Sequence, residues 1–234
     1  MCCLDDCATL RPPLTLTALS TLAAPSSHPP AAQLEGLEIG VLINNVGMSY
    51  PGALYFEELS AHAPTLARDL VHVNVDSVTQ MTALVLPGMV ARRSGAIVNV
   101  ASAAGIISTG NPFYAQYSAS KAYVDFFSRS LARENAGRGV WVSTQSPYFV
   151  ASKMSKIRAA SLFTPSPETW AAAAVAAIGA PGGDADSTVP YAPHALQHAV
   201  GQALPRWVMT AYQMSLHKGL RARYLKKVAG AKKE

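Results

Sequence analysis

Cysteine is almost missing from this 234-residue chain, since Cys2, Cys3 and Cys7 are confined to its first seven residues. From residue 8 onward no disulfide can form, which is compatible with a reducing compartment. The CC-x3-C cluster has neither a second cluster nor a nearby histidine, as a zinc site would need. We therefore predict neither a disulfide framework nor a metal site.

Charge is also scarce, because only 14% of the residues are charged and 50% are hydrophobic. This composition excludes wholesale disorder and supports one large domain, or at most two small ones. No run of 18 clean apolar residues is present, so no transmembrane helix is obvious. The apolar stretch 14–24 follows Asp5 and Asp6, whereas a signal peptide begins with positive charge.

The net charge of +5 is unevenly distributed, because basic residues accumulate after His217. We weigh two interpretations of this basic end: a solvated terminus, or a contact with anionic membrane lipid. No aromatic-interleaved basic face indicates nucleic-acid binding. Residues 195–214 are apolar but interrupted by Pro205 and Arg206, which favours an interfacial amphipathic segment over a membrane span.

Three segments of different character follow one another. Residues 1–35 are rich in proline, serine and threonine and are interpreted as loosely ordered; residues 195–234 form the amphipathic and basic segment. Between them, residues 36–194 alternate between strand and helix patterns. We predict strands at 39–47, 95–102, 140–147 and near 187–192, and helices within 57–90, 113–136 and 168–180. This alternation predicts an α/β fold, a Rossmann-like, doubly wound parallel sheet with helices on both faces.

One helix carries the pair Tyr117 and Lys121, which are spaced i, i+4 and therefore share a face. Tyr114 lies one turn earlier, but only Tyr117 has a lysine one turn ahead. A free phenol titrates near pKa ~10, and a neighbouring ammonium lowers that pKa. A serine at a strand end, such as Ser102, can hold a carbonyl oxygen for protonation. Each motif alone is more often a solvated pair or a cap; together they indicate carbonyl reduction with a nicotinamide cofactor.

Five motifs occur in an order that resembles the short-chain dehydrogenase/reductase family: NNVG (44–47), VNV (73–75), NVAS (99–102), YSASK (117–121) and PYFVAS (147–152). The stretches INNVGMSYP, YSASKAYVDFFSRSL and PYFVASKM are further similar to the very-long-chain 3-oxoacyl-CoA reductases, a subgroup that includes 17β-hydroxysteroid dehydrogenase-like enzymes. The resemblance runs from about Gly36 to the C-terminus.

The resemblance implies a role for each matching residue. Tyr117 would be the general acid, Ser102 would hold the carbonyl, and Asn74 would maintain a helix bend that supports a proton relay. Lys121 would lower the pKa of the tyrosine and bind the nicotinamide ribose. The cofactor-binding residues implied are Asn44, Gly47, Tyr117, Lys121, Pro147, Val150 and Ser152.

The implied activity is the NADPH-dependent reduction of a 3-oxoacyl-CoA to a 3-hydroxyacyl-CoA in fatty-acid elongation at the endoplasmic reticulum membrane. The implied partners are the acyl-CoA substrate and a second copy of the chain, paired through helices 57–90 and 113–136. A hydroxysteroid dehydrogenase with the same chemistry is an alternative.

The resemblance implies that the usual first βαβαβ segment of the family is lacking here, and its glycine-rich turn, T-G-x3-G-x-G, is not found in this sequence. The nearest pattern, Gly36-x3-Gly40, leads into a strand instead of a helix. Because those glycines let the backbone approach the pyrophosphate, we expect weak cofactor binding. A second alternative is therefore a truncated product that acts only as a partner of the full-length enzyme. The strand at 39–47 would also become an open edge of the sheet. The stretch LTLTAL (14–19) could cover this edge, but we favour the open edge.

Overall fold

A five-stranded, wholly parallel sheet organises the chain, with the strands in sequence order. The computed structural model describes residues 15–17, 34–62, 64–179 and 187–231. The strands are β1 Thr15–Thr17, β2 Val41–Asn44, β3 Gly95–Val100, β4 Val140–Gln145 and β5 Ser187–Thr188. The predicted α/β class and parallel sheet are therefore confirmed.

Helices connect these strands and extend the chain beyond the sheet. They are α1 Leu59–His62, α2 Leu66–Val71, α3 Ser77–Arg92, α4 Ala103–Ile106, α5 Ala115–Glu134, α6 Pro167–Ala176, α7 Ala192–Ala203 and α8 Arg206–Ala231. A short 3-10 helix covers Phe56–Glu58 and a π-helix covers His72–Asp76. Ser166 caps α6 by accepting from the Thr169 amide at 3.2 Å, as its sequence indicates. The glycine pair 182–183 that should end this helix lies outside the described residues.

The strand at 39–47 is not an open edge, which corrects one expectation. Strand β1 pairs with β2 in parallel, with Thr15 opposite Val41 and Thr17 opposite Ile43. Within the segment 1–35, residues 15–17 thus form a strand, and residues 1–14 and 18–33 lie outside the described part of the chain. The physical reason is that an unpaired strand leaves a row of backbone donors and acceptors free, and a short alternating Thr-Leu-Thr segment can satisfy them.

The main hydrophobic core lies between the sheet and the helices α3 and α5. Leu42 and Ile97 from the strands pack with Met81 and Met89 from α3 and Leu131 from α5. Strands β3 and β4 bury consecutive residues, so side chains on both of their faces are covered. This arrangement leaves the carboxyl ends of β2, β3 and β4 at one edge, where a doubly wound sheet carries its site.

The C-terminal helix α8 packs against the domain along one face. Its Arg221 pairs with Glu58 at 2.5 Å, and the Tyr224 ring lies so close to Gly52 that an added Cβ would come within 2.2 Å of it. His217 is also buried on this face. One face of α8 is therefore packed on the domain, whereas the basic residues Lys218, Arg223, Lys226 and Lys227 are exposed. No helix in the described part of the chain is both long and apolar enough to cross a bilayer.

Candidate active site

Ser102 and Tyr117 meet at the carboxyl end of β3. Ser102 caps α4, where its Oγ accepts from the Ala104 amide at 3.2 Å, and its side chain interacts with that of Tyr117. The close packing of α4 on α5 depends on Gly105, because a Cβ there would lie 2.5 Å from the backbone of Lys121. This approach brings the two hydroxyls together although they are far apart in the sequence.

Lys121 lies behind Tyr117 with its ammonium buried. The residue is 5% exposed, and Nζ donates to the Val100 carbonyl at 2.9 Å. Burial disfavours the charged form and lowers the pKa of Lys121 to about 8. At Gly47 a Cβ would lie 3.1 Å from Nζ and 3.4 Å from Asn74 Oδ1. Glycine at this position therefore leaves space beside the ammonium.

The electrostatics of Tyr117 differ from the expectation that a lysine lowers its pKa. Burial raises the pKa of Tyr117 above 10.0, and the hydrogen bond with Ser102 opposes that rise. The reason for the difference is that the phenol is desolvated among apolar neighbours. Tyr117 is therefore a protonated phenol at neutral pH, which is the form that can donate a proton.

Asn74 occupies the π-helix at His72–Asp76 and is completely buried. Its Oδ1 accepts from the Met48 amide at 2.8 Å. Its Nδ2 donates to the Met48 carbonyl at 3.0 Å and to Ser120 Oγ at 2.9 Å. The extra residue in this turn aims the side chain at the loop after β2 and at α5. The π-helix thus lies at the residue for which the resemblance implies a helix bend.

A buried polar chain beneath the site was missed by the sequence reasoning. Asn44 Nδ2 donates to Asn99 Oδ1 at 2.7 Å and to Thr82 Oγ1 at 3.3 Å, and Asn99 Nδ2 donates to Ser128 Oγ at 2.7 Å. Asn44 and Asn99 are register partners in β2 and β3. The sequence signal that could have indicated this network is an asparagine within each of two otherwise apolar strands, Asn44 in β2 and Asn99 in β3. Because the side chain of Asn44 is turned inward, it supports the strand end instead of lining an open surface.

The loop after β4 carries the remaining predicted residues. The Pro147 carbonyl accepts from the Ala103 amide at 2.8 Å, which places the start of the loop beside Ser102. Val150 and Ser152 lie further along, where Ser155 Oγ donates to the Val150 carbonyl at 2.6 Å and the Ser155 amide donates to Ser152 Oγ at 3.3 Å. The structure therefore joins Pro147 to the site and ties Val150 and Ser152 to each other through Ser155.

Tyr114 has a different environment from Tyr117. Its ring packs against Tyr50, with the centroids 5.5 Å apart, and against His217 of α8, also at 5.5 Å. Tyr114 is therefore engaged in ring packing with Tyr50 and His217, and Tyr117 is the tyrosine whose side chain interacts with Ser102.

These residues fit the nicotinamide end of a dinucleotide. The ammonium of Lys121 has three N–H donors, and the Val100 carbonyl is its one acceptor within the described ranges, so donors remain for a ribose. The space at Gly47 adjoins this ammonium. Residues 18–33, which follow β1, are outside the described residues, as is any contact that they make with the phosphates.

A family model described as short chain dehydrogenase matches residues 31–161, more than half of the chain. This chain belongs to the short-chain dehydrogenase family. The catalytic arrangement just described coincides with the motifs on which the resemblance rests: NVAS ends at Ser102, and YSASK spans Tyr117 and Lys121.

Among short-chain dehydrogenases, the chain is 44% identical over 194 residues to a very-long-chain 3-oxoacyl-CoA reductase of Rattus norvegicus and 43% identical to that of Homo sapiens. Each alignment covers 83% of this chain and 60% of the relative, so the chain spans about three-fifths of the length of these relatives.

Two solved structures share the fold. One comes from a study of 7beta-hydroxysteroid dehydrogenase stereoselectivity, with a TM-score of 0.63 and 20% identity, covering 78% of this chain and 69% of that one. The other is a short-chain dehydrogenase from Sphingobium yanoikuyae in complex with NADPH, with a TM-score of 0.56 and 23% identity, covering 75% and 70%.

Proposed function

We propose that this short-chain dehydrogenase reduces a 3-oxoacyl-CoA to a 3-hydroxyacyl-CoA with NADPH. The observation that carries the proposal is the interaction of Ser102 with a protonated Tyr117, with the buried Lys121 one turn further along the same helix. The substrate class follows from the names of the relatives, which are 43–44% identical. The cofactor would supply the hydride.

The residues of the chain would handle the proton and the carbonyl. Ser102 and Tyr117 donate hydrogen bonds to the substrate carbonyl oxygen, which polarises it. Tyr117 then gives its proton to the oxygen as negative charge develops there. The positive charge of Lys121 stabilises the resulting phenolate, and the Asn74 side chain holds the loop after β2 against α5.

The test is turnover and cofactor binding by the purified 234-residue chain. We expect NADPH consumption with a 3-oxoacyl-CoA and none with an oxosteroid. The variant Tyr117→Phe should abolish turnover, whereas the matched control Tyr114→Phe should retain it, because Tyr114 is not bonded to Ser102. Preference for the steroid would replace the substrate assignment. Failure to bind NADPH at all would refute catalysis by this chain and favour a partner role.

We also propose a homodimer through helices α3 and α5. On these helices Leu84 and Phe126 expose large apolar side chains, Phe126 with 68% of its surface. Tyr123 and Thr79 join the two helices by a 2.9 Å hydrogen bond between their hydroxyls. Light scattering should give a dimer for the unmodified chain and a monomer for Phe126→Glu. The control Val175→Glu, on the exposed side of α6, should remain dimeric; an unmodified chain that is monomeric contradicts the proposal.

We further propose that α7 and the start of α8 contact a membrane surface, consistent with residence at the endoplasmic reticulum. Leu196, Val200 and Trp207 are exposed, Trp207 by 75%. From residue 187 to residue 231 the chain contains Lys and Arg but neither Asp nor Glu. Apolar and basic residues together are typical of interfacial segments. Sedimentation with vesicles of phosphatidylcholine and phosphatidylserine should be reduced by Trp207→Ala but not by Phe126→Ala, and equal reduction would refute the proposal.

A further inference from the structure

His194 is a completely buried histidine for which the proposed reaction has no use. It belongs to the first turn of α7, where neither the motifs nor the resemblance indicates a functional residue. Its imidazole Nδ1 accepts a hydrogen bond from the Tyr148 amide at 3.3 Å. Tyr148 directly follows Pro147, in the loop whose residues Pro147, Val150 and Ser152 the resemblance implies to bind the cofactor, at its nicotinamide.

The loop is anchored on both sides of this bond by backbone contacts. The Ser146 amide donates to the Thr188 carbonyl at 2.9 Å, and the Ala151 amide donates to the Pro165 carbonyl at 2.9 Å. Between these anchors, the Tyr148 amide is satisfied by a side chain instead of by the backbone. The Nδ1 of His194 is therefore the acceptor for the Tyr148 amide between the two anchors.

The imidazole itself is held in place by several groups. The Tyr191 ring meets it edge-on at 5.0 Å and Tyr148 packs on it at 5.6 Å, while Tyr191 Oη donates to the Leu162 carbonyl at 3.0 Å. His194 also interacts with the backbone of Phe149 and Phe163. One ring thus links the loop after β4, the segment around residue 163 and α7.

We propose that His194 is a positioning residue, whose unprotonated Nδ1 holds the Tyr148 amide and thereby the loop against which the nicotinamide lies. An imidazole accepts at Nδ1 only when that nitrogen carries no proton. Burial lowers the pKa of His194, which favours the neutral form. The titratable groups that face it are Tyr148 from the loop, Tyr191 from the turn before α7 and His198 one turn later, whose Nδ1 lies 3.2 Å from Tyr148 Oη. Tyr212 of α8 interacts with Tyr148.

The role of the loop at the cofactor rests on the proposed reductase function, but the hydrogen bond can be tested without turnover. Hydrogen exchange of the backbone across residues 146–152 should be measured for the unmodified chain, His194→Asn and His194→Leu. Asparagine retains an acceptor near the position of Nδ1, whereas leucine retains volume without an acceptor. We expect protection to survive in His194→Asn and exchange to become about tenfold faster in His194→Leu.

A second buried histidine provides the matched control. His217 is 3% exposed and packs on Tyr114, and no hydrogen bond or ring contact joins it to residues 146–152 within the described ranges, so His217→Leu should leave exchange at 146–152 unchanged. Equal protection in His194→Leu and the unmodified chain would overturn the proposal. If His194→Leu does not fold, a folded His194→Asn without protection would overturn it too.

Kinetics then separate positioning from packing. We expect His194→Leu to raise the KM for NADPH and His194→Asn to keep it close to that of the unmodified chain at neutral pH. Activity of the unmodified chain should fall at pH values below the pKa of His194, and this fall should be absent from both variants because neither leucine nor asparagine titrates. A chain without turnover would refute the reductase function while leaving the exchange result valid. An unchanged KM for NADPH in His194→Leu would refute the link to the cofactor.

Discussion

At the scale of single residues, the burial of Lys121 combines a stability cost with a function. Its ammonium is shielded from water and has one carbonyl acceptor within the described part of the chain, so the charged form is disfavoured and the pKa falls to about 8. Such a cost is characteristic of functional sites, where electrostatic demands oppose packing. A methionine of similar length would fill the same space without the charge.

Replacing Lys121 by Met should therefore abolish reductase activity while leaving the free energy of unfolding at neutral pH unchanged or higher. The unfolded chain holds its lysine proton up to pH 10.5, whereas the folded chain loses it near 8. Between these values the unfolded state binds more protons, so the stability contribution of Lys121 rises with pH. The free energy of unfolding in urea should be measured at neutral pH and at a pH above the folded-state pKa of Lys121. Between these two values it should rise more for the unmodified chain than for Lys121→Met. A parallel pH dependence of the two proteins would contradict this.

At the scale of elements, two contacts hold the loop after β2 in place. Asn74, in the π-helix, hydrogen-bonds the Met48 backbone, and Tyr224 of α8 packs on Gly52. Neither follows from helix or strand periodicity. In both, one side chain satisfies or covers backbone that belongs to another element. Single substitutions can therefore displace a whole element.

Asn74→Ala should destabilise the chain by about 1–3 kcal/mol, because the half-buried Met48 backbone would lose the two hydrogen bonds that Asn74 makes with it. We also expect reductase activity to fall, since the loop would no longer be held against α5. Chemical denaturation of Asn74→Ala and of the control Asn45→Ala, at an exposed position, measures the difference. The control should change stability by no more than about 0.5 kcal/mol. Similar losses in both variants would count against the bridging role.

Gly52→Ala should loosen α8, because the new Cβ would lie 2.2 Å from the Tyr224 ring. We expect a loss of about 1–3 kcal/mol from this overpacking. The control Gly219→Ala lies within α8 at a position with open space, where alanine should stabilise the helix by about 0.5–1 kcal/mol. Thermal unfolding distinguishes the two, and hydrogen exchange locates the effect. If α8 keeps its full hydrogen-exchange protection in Gly52→Ala, the Tyr224 ring has moved to make room for the Cβ, and the prediction that α8 loosens is wrong.

At the scale of the whole molecule, three histidines make the packing of the C-terminal helices dependent on pH. Burial lowers the pKa of His194, His198 and His217 below the ordinary 6.5. Two of them lie on α7 and one on α8, the two helices that complete the domain beyond the sheet. Protonation of these groups therefore opposes the docking of the C-terminal helices.

We predict that the free energy of unfolding falls as the pH drops below about 6.5, where the unfolded chain binds protons that the folded chain resists. The stability from these histidines is fully present above that pH and is lost towards their lower folded-state pKa values. Urea unfolding at a series of pH values measures the slope. His217→Gln should reduce the slope in this range, whereas an unchanged slope would exclude His217 from the effect.

The sequence by itself determined the order of strands and helices, the cap at Ser166 and the pairing of Tyr117 with Lys121, because each depends on neighbours within a strand or a helical turn. It also placed Ser102 at a strand end, and the parallel sheet brings that end to the tyrosine. Only the tertiary structure decided that β1 covers the edge of β2, that Asn44 turns inward to Asn99, that α8 packs on Gly52, and that His194 holds the Tyr148 amide. These contacts join residues that are distant in the chain. Their energies depend on which backbone groups would be left unpaired on burial, and a local sequence pattern does not contain that information.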